Sequence, residues 1–249
     1  QNLAEGLVKT GQEVSILTQQ LPGTSLRENL NGVSIHRIPS LHSRYFFSFT
    51  AIIPALKISR NYDLVQTTTF NGAFPAWIAA KVNQKPVVLT VHEIWIEKWN
   101  QVTSFSKWKC RLHDFLERCL YLFPYDQYIC VSNATKKDLS NIKIPSQKVK
   151  TIYNGIDYGF WNPARITKSE TEIIRNSLSI NNKWVYFAWG RPGESKGFEY
   201  LLKAVPLISK QVPNSLLLLM LSTSKQYQQK YQELQRLIQH LNIQSQVKI

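Results

Sequence analysis

No run of apolar residues in the sequence approaches the ~18 that a membrane-spanning helix requires. The longest candidates, residues 46–55 and 216–221, are too short. Cysteine is scarce: Cys110, Cys119 and Cys130 are odd in number, lie nine and eleven residues apart, and include no CxxC pair. That pattern excludes a disulfide framework and a cysteine zinc site, and it favours a reducing compartment. The two commonest nucleotide-binding signatures are also missing, since neither GxxxxGK[S/T] nor GxGxxG occurs. No charged-then-apolar leader opens the chain, which begins at Gln1 rather than methionine, so we expect a piece of a longer protein. Acidic residues are in deficit, 16 against 30 Lys and Arg, which leaves a net charge of +14. The excess is spread evenly, +7 on each side of Pro163. Diffuse basicity suits anionic membrane surfaces and phosphorylated ligands, whereas a dedicated nucleic-acid binder carries a clustered stripe that is missing here.

What is present is a β-α-β rhythm. At 249 residues and 43% hydrophobic, the chain has material for one large or two modest domains, and two are expected, residues 1–163 and 164–249. Residues 13–18, 32–38, 63–66, 86–91, 127–131, 148–153, 185–189 and 215–221 read as strands. Helical spacing fills the intervals, with Arg44 to Arg60 expected as one helix and residues 226–240 as another. The fold class is therefore α/β with parallel sheets.

Residues 183–204, KWVYFAWGRPGESKGFEYLLKA, change from strand to loop to helix within a few positions. Val185, Tyr186, Phe187, Ala188 and Trp189 form a short apolar run that predicts a strand buried on both faces. Leu201, Leu202, Val205 and Ile208 then recur at helical spacing, with Pro206 expected to kink the helix or end it early. Between strand and helix lie Gly190, Gly193 and Gly197, which allow positive φ and close approach of a ligand to the backbone. The helix start offers free N–H groups and the positive end of its dipole. Arg191 supplies a planar fork for phosphate oxygens and Lys196 a compact second charge, together suited to a pyrophosphate. A solvated Gly-rich loop with two surface cations is the alternative.

The strand at residues 86–91 ends in His92-Glu93-Ile94-Trp95. In an open parallel sheet, ligands bind at the C-terminal edge, so His92 is placed either to meet a ligand or to serve as a structural histidine. Glu93 would tune its imidazole or face solvent. His36 and His42 have no partners at metal spacing and read as structural. From Trp95 to Phe123, aromatic and aliphatic residues alternate with Lys98, Lys107, Lys109, Arg111 and Arg118. Two readings are open for this segment, a membrane-interface helix and a helix packed on the sheet; the spacing favours the second, because a helical apolar stripe is normally core. Ser132 is placed to cap the helix after residues 127–131, and Asn154-Gly155 signals a turn.

Several of these stretches resemble one family. Gly190-Arg191, a short spacer, Lys196-Gly197 and Leu201-Leu202-x-Ala204 look like the donor-phosphate loop of group 1 (family four) glycosyltransferases. Thr90-Val91-His92-Glu93 is similar to their strand-His-Asp/Glu motif. Val131-Ser132 with Leu139, and Asn154-Gly155-Ile156-Asp157 with Phe160 and Pro163, resemble two further segments in the same order, and residues 3–14 match the pattern LAxxLxxxGxxV. The resemblance implies the GT-B fold, two doubly wound Rossmann-like domains facing a cleft, the second incomplete here. It implies a retaining, metal-independent, hexosyltransferase-like enzyme that moves a sugar from a nucleotide diphosphate sugar to an acceptor hydroxyl, with a role in cell-envelope or exopolysaccharide synthesis. His92 would then be catalytic, Arg191, Lys196 and Gly190 would bind the donor diphosphate, and Glu93 would support His92. The co-substrate is the nucleotide sugar, with no other cofactor. The acceptor would be a polysaccharide or a lipid-linked intermediate. The implied location is cytoplasmic, with peripheral contact to the anionic inner face of the membrane as an option and no specific nucleic-acid partner. The family's N-terminal Gly-rich loop and Glu-x7-Glu pair would lie outside this sequence, leaving the fragment inactive alone. The alternatives are a sugar-nucleotide epimerase of the same architecture, which needs additional acid and base residues, and a non-catalytic basic protein binding membrane or nucleic acid.

Overall fold

In the computed structural model, the described residues are 2–39, 41 and 43–249, and His42 lies outside them. The chain divides into two compact units, Gln1–Glu97 with Arg111–Gly155, and Lys98–Cys110 with Ile156–Ile249.

The first unit opens with α1 (Asn2–Lys9), β1 (Ser15–Gln19), β2 (Arg27–Leu30) and β3 (Val33–Ile38). These strands form a three-stranded sheet in the order β1-β3-β2, parallel between β1 and β3 and antiparallel between β2 and β3. β2 is not legible in the sequence because all four of its residues are exposed and carry no apolar alternation. The expected helix from Arg44 to Arg60 is two helices, α2 (Arg44–Thr50) and α3 (Ile52–Ser59). Pro54 explains the break: it has no N–H to donate, and its ring clashes with the carbonyl four residues back, at Thr50. β4 (Val65–Thr68), α4 (Ala73–Val82) and β5 (Val87–Val91) follow. α5 (Trp99–Val102) belongs to the second unit, and α6 (Lys107–Leu122) runs from the second unit back into the first. β6 (Gln127–Cys130), α7 (Asn133–Asn141) and β7 (Val149–Thr151) complete an all-parallel sheet in the order β4-β5-β6-β7. Val87, Leu89, Val91, Tyr125, Cys130 and Leu139 form the centre of its core. The Ser132 cap forms as its residue type predicts, with Oγ accepting from Thr135 N–H at 3.1 Å.

Asn154-Gly155 forms no turn; residues 152–157 carry no regular structure, and the turn comes later, at residues 158–161, where Phe160 N–H donates to Asp157 Oδ1 at 3.0 Å. An Asn-Gly pair turns the chain where two strands pair back on each other, and no returning strand follows β7.

The second unit contains α8 (Lys168–Ser177), β8 (Trp184–Gly190), α9 (Phe198–Gln211), β9 (Ser215–Leu221), α10 (Gln228–His240) and β10 (Val247–Lys248). Its sheet is parallel in the order β10-β9-β8. α8 starts with a capping box between Thr167 and Glu170. Pro206 does not end α9, which continues to Gln211. The expectation that β8 is buried on both faces is overturned. Tyr186, Ala188, Leu217 and Leu219 face a core shared with α9 and α10, while Trp189 is 69% exposed and Met220, its partner in register, 66%. Successive residues of a strand point to opposite faces, and the helices that build this core lie on one of them.

Candidate functional site

In the second unit, β8 ends at Gly190, whose φ of 152° places it where side chains are strained, and an added Cβ would lie 3.5 Å from Phe198 Cζ. Arg191 is exposed immediately after it, and Pro192 is fully buried, which pins the loop to the unit. A 3₁₀ turn, Glu194–Lys196, closes with Lys196 N–H donating to Gly193 O at 3.0 Å. Gly197 is left-handed at φ 65°, and α9 begins behind it with no side-chain cap. The helix start is therefore an uncapped N-terminus, next to Gly190 and the exposed cations Arg191 and Lys196. Such a terminus favours an anion through its orphan N–H groups and its dipole.

Two nearby carboxylates oppose that preference, Glu194 in the 3₁₀ turn and Glu199 in the first turn of α9. Lys230 on α10 offsets them: its Nζ lies 3.1 Å from Glu194, 3.6 Å from Glu233 and 3.8 Å from Glu199. Burial works against the Lys230 charge, but the hydrogen bond to Glu194 and the surrounding carboxylates outweigh it and raise its pKa above the ordinary lysine value. The sequence gives no signal for Lys230, because its role depends on how α10 packs against α9.

In the first unit, the parallel strands present their C-terminal ends along one edge of the sheet. His92 and Glu93 are the first two residues beyond β5, and both are exposed there. The His92 carbonyl accepts from Thr135 Oγ1 at 3.3 Å, which ties it to the start of α7. The rest of the loop is held by α6. Trp95 N–H donates to Glu117 Oε1 at 2.9 Å, and Glu97 N–H donates to Asp114 Oδ1. Arg118 closes the clamp, its Nε 2.8 Å from Asp114 Oδ2 and its Nη2 2.8 Å from Glu97 Oε1. Burial opposes the Asp114 charge, but the Glu97 N–H and the Arg118 guanidinium hold its carboxyl below the usual range.

α6 packs on the core of the first unit through Leu120, as the reading of a helix packed on the sheet expects, but most of its apolar stripe faces outward. Glu117 is 3% exposed on the inward side, while Trp108 is 63% and Phe115 62% exposed. Beside the buried Cys110 and Leu120, the inward face carries Glu117 and Asp114 because the main-chain N–H groups of residues 95 and 97 need acceptors. Asp114 and Glu117 are thus site-supporting residues that the sequence pattern assigns to the wrong side.

His92 and Glu93 belong to the first unit, and Gly190, Arg191 and Lys196 to the second. Among the described residues, no group of three or more His, Cys, Asp or Glu could hold a metal ion. All three cysteines are free, Cys110 and Cys130 buried. No helix among the described residues is long and apolar enough to cross a membrane.

Residues 1–160 match the family described as Glycosyltransferase Family 4. An uncharacterised glycosyltransferase of Methanocaldococcus jannaschii is 28% identical over 221 residues, 83% of this chain and 54% of that protein. Spore coat protein SA of Bacillus subtilis is 26% identical over 84% of this chain and 51% of its own length. The chain thus spans about half the length of the curated relatives it matches. Among solved structures, Anabaena HepE in complex with UDP and glucose aligns with a TM-score of 0.69 at 20% identity, covering 88% of this chain and 56% of that one. A glycosyltransferase of Rickettsia africae aligns at 0.69 and 18% identity, over 99% of this chain and 62% of that one. The architecture they share with this chain is the GT-B fold.

Proposed function

This chain belongs to glycosyltransferase family 4, and from that premise we propose that the protein transfers a sugar from a nucleotide diphosphate sugar to an acceptor hydroxyl, with retention and without a bound metal. The observation that carries the reading is the loop from Gly190 to Gly197, with exposed Arg191 and Lys196 at the uncapped start of α9. Cleaving the sugar–phosphate bond leaves negative charge on the departing diphosphate. Arg191 binds it through paired N–H donors and Lys196 as a compact charge, and the α9 N–H groups add the helix dipole. Gly190 lets the backbone approach the phosphates. His92, at the exposed end of β5, meets the transferred sugar, with Glu93 beside it. The UDP bound to HepE and the ADP bound to a starch synthase that aligns at a TM-score of 0.66 support a nucleoside diphosphate as the donor's carrier. The acceptor is a lipid-linked intermediate or a growing polysaccharide, and the reaction takes place in the cytoplasm in envelope or exopolysaccharide synthesis.

In the full-length parent, Arg191→Ala and Lys196→Ala are each expected to lower turnover of a nucleotide sugar by ~10²-fold or more, with unchanged circular dichroism. Weakened UDP binding in calorimetry should accompany the loss. Full turnover in both variants would overturn the assignment.

A further inference from the structure

Glu194 follows Arg191 by three residues and Glu199 follows Lys196 by three, a spacing at which opposite charges meet on a helical turn. Yet among the described residues neither Arg191 nor Lys196 takes part in an ion pair. Both carboxylates turn to Lys230 on α10 instead. Lys230 Nζ donates to Glu194 Oε2 at 3.1 Å and stands 3.8 Å from Glu199 Oε1. Its remaining partner, Glu233 at 3.6 Å, lies on α10 itself and also accepts from Gln229 Nε2 at 3.2 Å. Glu199 depends on Lys230 more heavily, because its Oε2 is buried and accepts no hydrogen bond among the described residues. The side chains of Lys230 and Glu199 are only 22% and 25% exposed, so solvent screens their attraction less than that of a surface pair.

A carboxylate beside a phosphate-binding cation competes with the phosphate for it. We propose that Lys230 is a positioning residue of the loop from Gly190 to Gly197: by holding Glu194 and Glu199 against α10, it keeps Arg191 and Lys196 unpaired for the donor's diphosphate. The hydrogen bond to Glu194 also anchors the 3₁₀ turn that carries Lys196. The inference rests on the reading of this loop as the diphosphate site. One arm of its test needs neither donor nor turnover, so the role of Lys230 and the diphosphate reading succeed or fail separately.

The test is made in the full-length parent. In the first arm, acetylation of Lys196 by an N-hydroxysuccinimide ester is followed by mass spectrometry without ligand. Lys230→Met should slow it at least ~3-fold, because a released carboxylate pairs with the ammonium and holds it protonated. Lys230→Arg, which keeps the charge, should react as the parent does. In the second arm, calorimetry with UDP should show affinity ~10-fold lower in Lys230→Met. The KM for the nucleotide sugar should rise with it while kcat changes little, because saturating donor displaces the carboxylates. In the Glu194→Gln/Glu199→Gln background, adding Lys230→Met should alter neither acetylation nor UDP affinity. This comparison stays readable even where Lys230→Met alone folds poorly, since no carboxylate of the loop is then left uncompensated. An unchanged acetylation rate in Lys230→Met, or an equal loss of UDP affinity in the glutamine background, would overturn the proposal. A parent that binds no UDP while the acetylation rates follow the expected order would uphold Lys230 as the counter-charge and overturn the diphosphate reading.

Discussion

At the start of β5, Val87 N–H donates to Asp126 Oδ2 at 2.9 Å, and Lys81 Nζ on α4 lies 3.0 Å from the same oxygen. Burial opposes the Asp126 charge, but these two donors outweigh it and hold the carboxyl below its ordinary pKa. A carboxylate with a lowered folded pKa contributes stability above its unfolded value, near 4, and loses it as pH falls through the folded value. Asp126→Ala should therefore cost about 1 kcal/mol at pH 7, a figure kept small because the side chain is 47% exposed. The gap between variant and parent in urea melts should narrow as pH falls below the unfolded carboxylate value and through the lowered folded one; a gap that stays constant with pH would show that the charge is not what stabilises. At this scale the sequence is legible where chemistry is local. Gly190, Arg191, Lys196 and Gly197 stand within a few positions of one another, and the strand-to-helix turn that their spacing predicts forms there. Lys230 and Glu117 are not legible, because each acts on a segment distant in sequence.

Glu117 shows what an element's periodicity does and does not convey. The apolar spacing of α6 correctly marks a helix, and the helix forms over Lys107–Leu122. Which side faces in is set by hydrogen bonding together with burial of Cys110 and Leu120, because main-chain N–H groups in the loop after His92 need acceptors and Glu117 and Asp114 supply them. Glu117→Leu leaves the Trp95 N–H buried without its acceptor and should cost about 2 kcal/mol. Glu117→Gln retains a carbonyl acceptor and should recover most of that stability. The same pair separates positioning from packing: if the clamp orients His92, Glu117→Leu lowers kcat with little change in the KM for donor, and Glu117→Gln restores kcat. Equal kinetics in the two variants would confine Glu117 to stability. Elsewhere, proline and asparagine-glycine signals were decided by context. Pro54 breaks a helix as its chemistry requires, Pro206 is tolerated inside α9, and Asn154-Gly155 forms no turn where no strand returns.

Over the whole molecule, the alternation of strand and helix is readable because buried parallel strands form continuous apolar runs, and the runs at residues 86–91, 127–131 and 215–221 lie at the centres of the four-stranded sheet and of the second unit's sheet. The exposed face of β8 was not readable, since an apolar run looks the same whether one or both of its faces are covered. The two units have separate cores, one around Leu89 and Tyr125 and the other around Leu202 and Leu217. A protein with two cores need not unfold in a single step. Leu89→Ala and Leu202→Ala each empty a fully buried site and should cost 2–5 kcal/mol, roughly, in the unit that loses the side chain. In calorimetry we expect two overlapping transitions, with Leu89→Ala lowering one midpoint and Leu202→Ala the other. Saturating UDP should raise only the transition that Leu202→Ala lowers, because the loop proposed to hold the diphosphate belongs to that unit and a ligand stabilises the state it binds. If both substitutions instead shift one common transition by the same amount, the two cores melt as one cooperative body, and UDP would then protect Leu89 as much as Leu202.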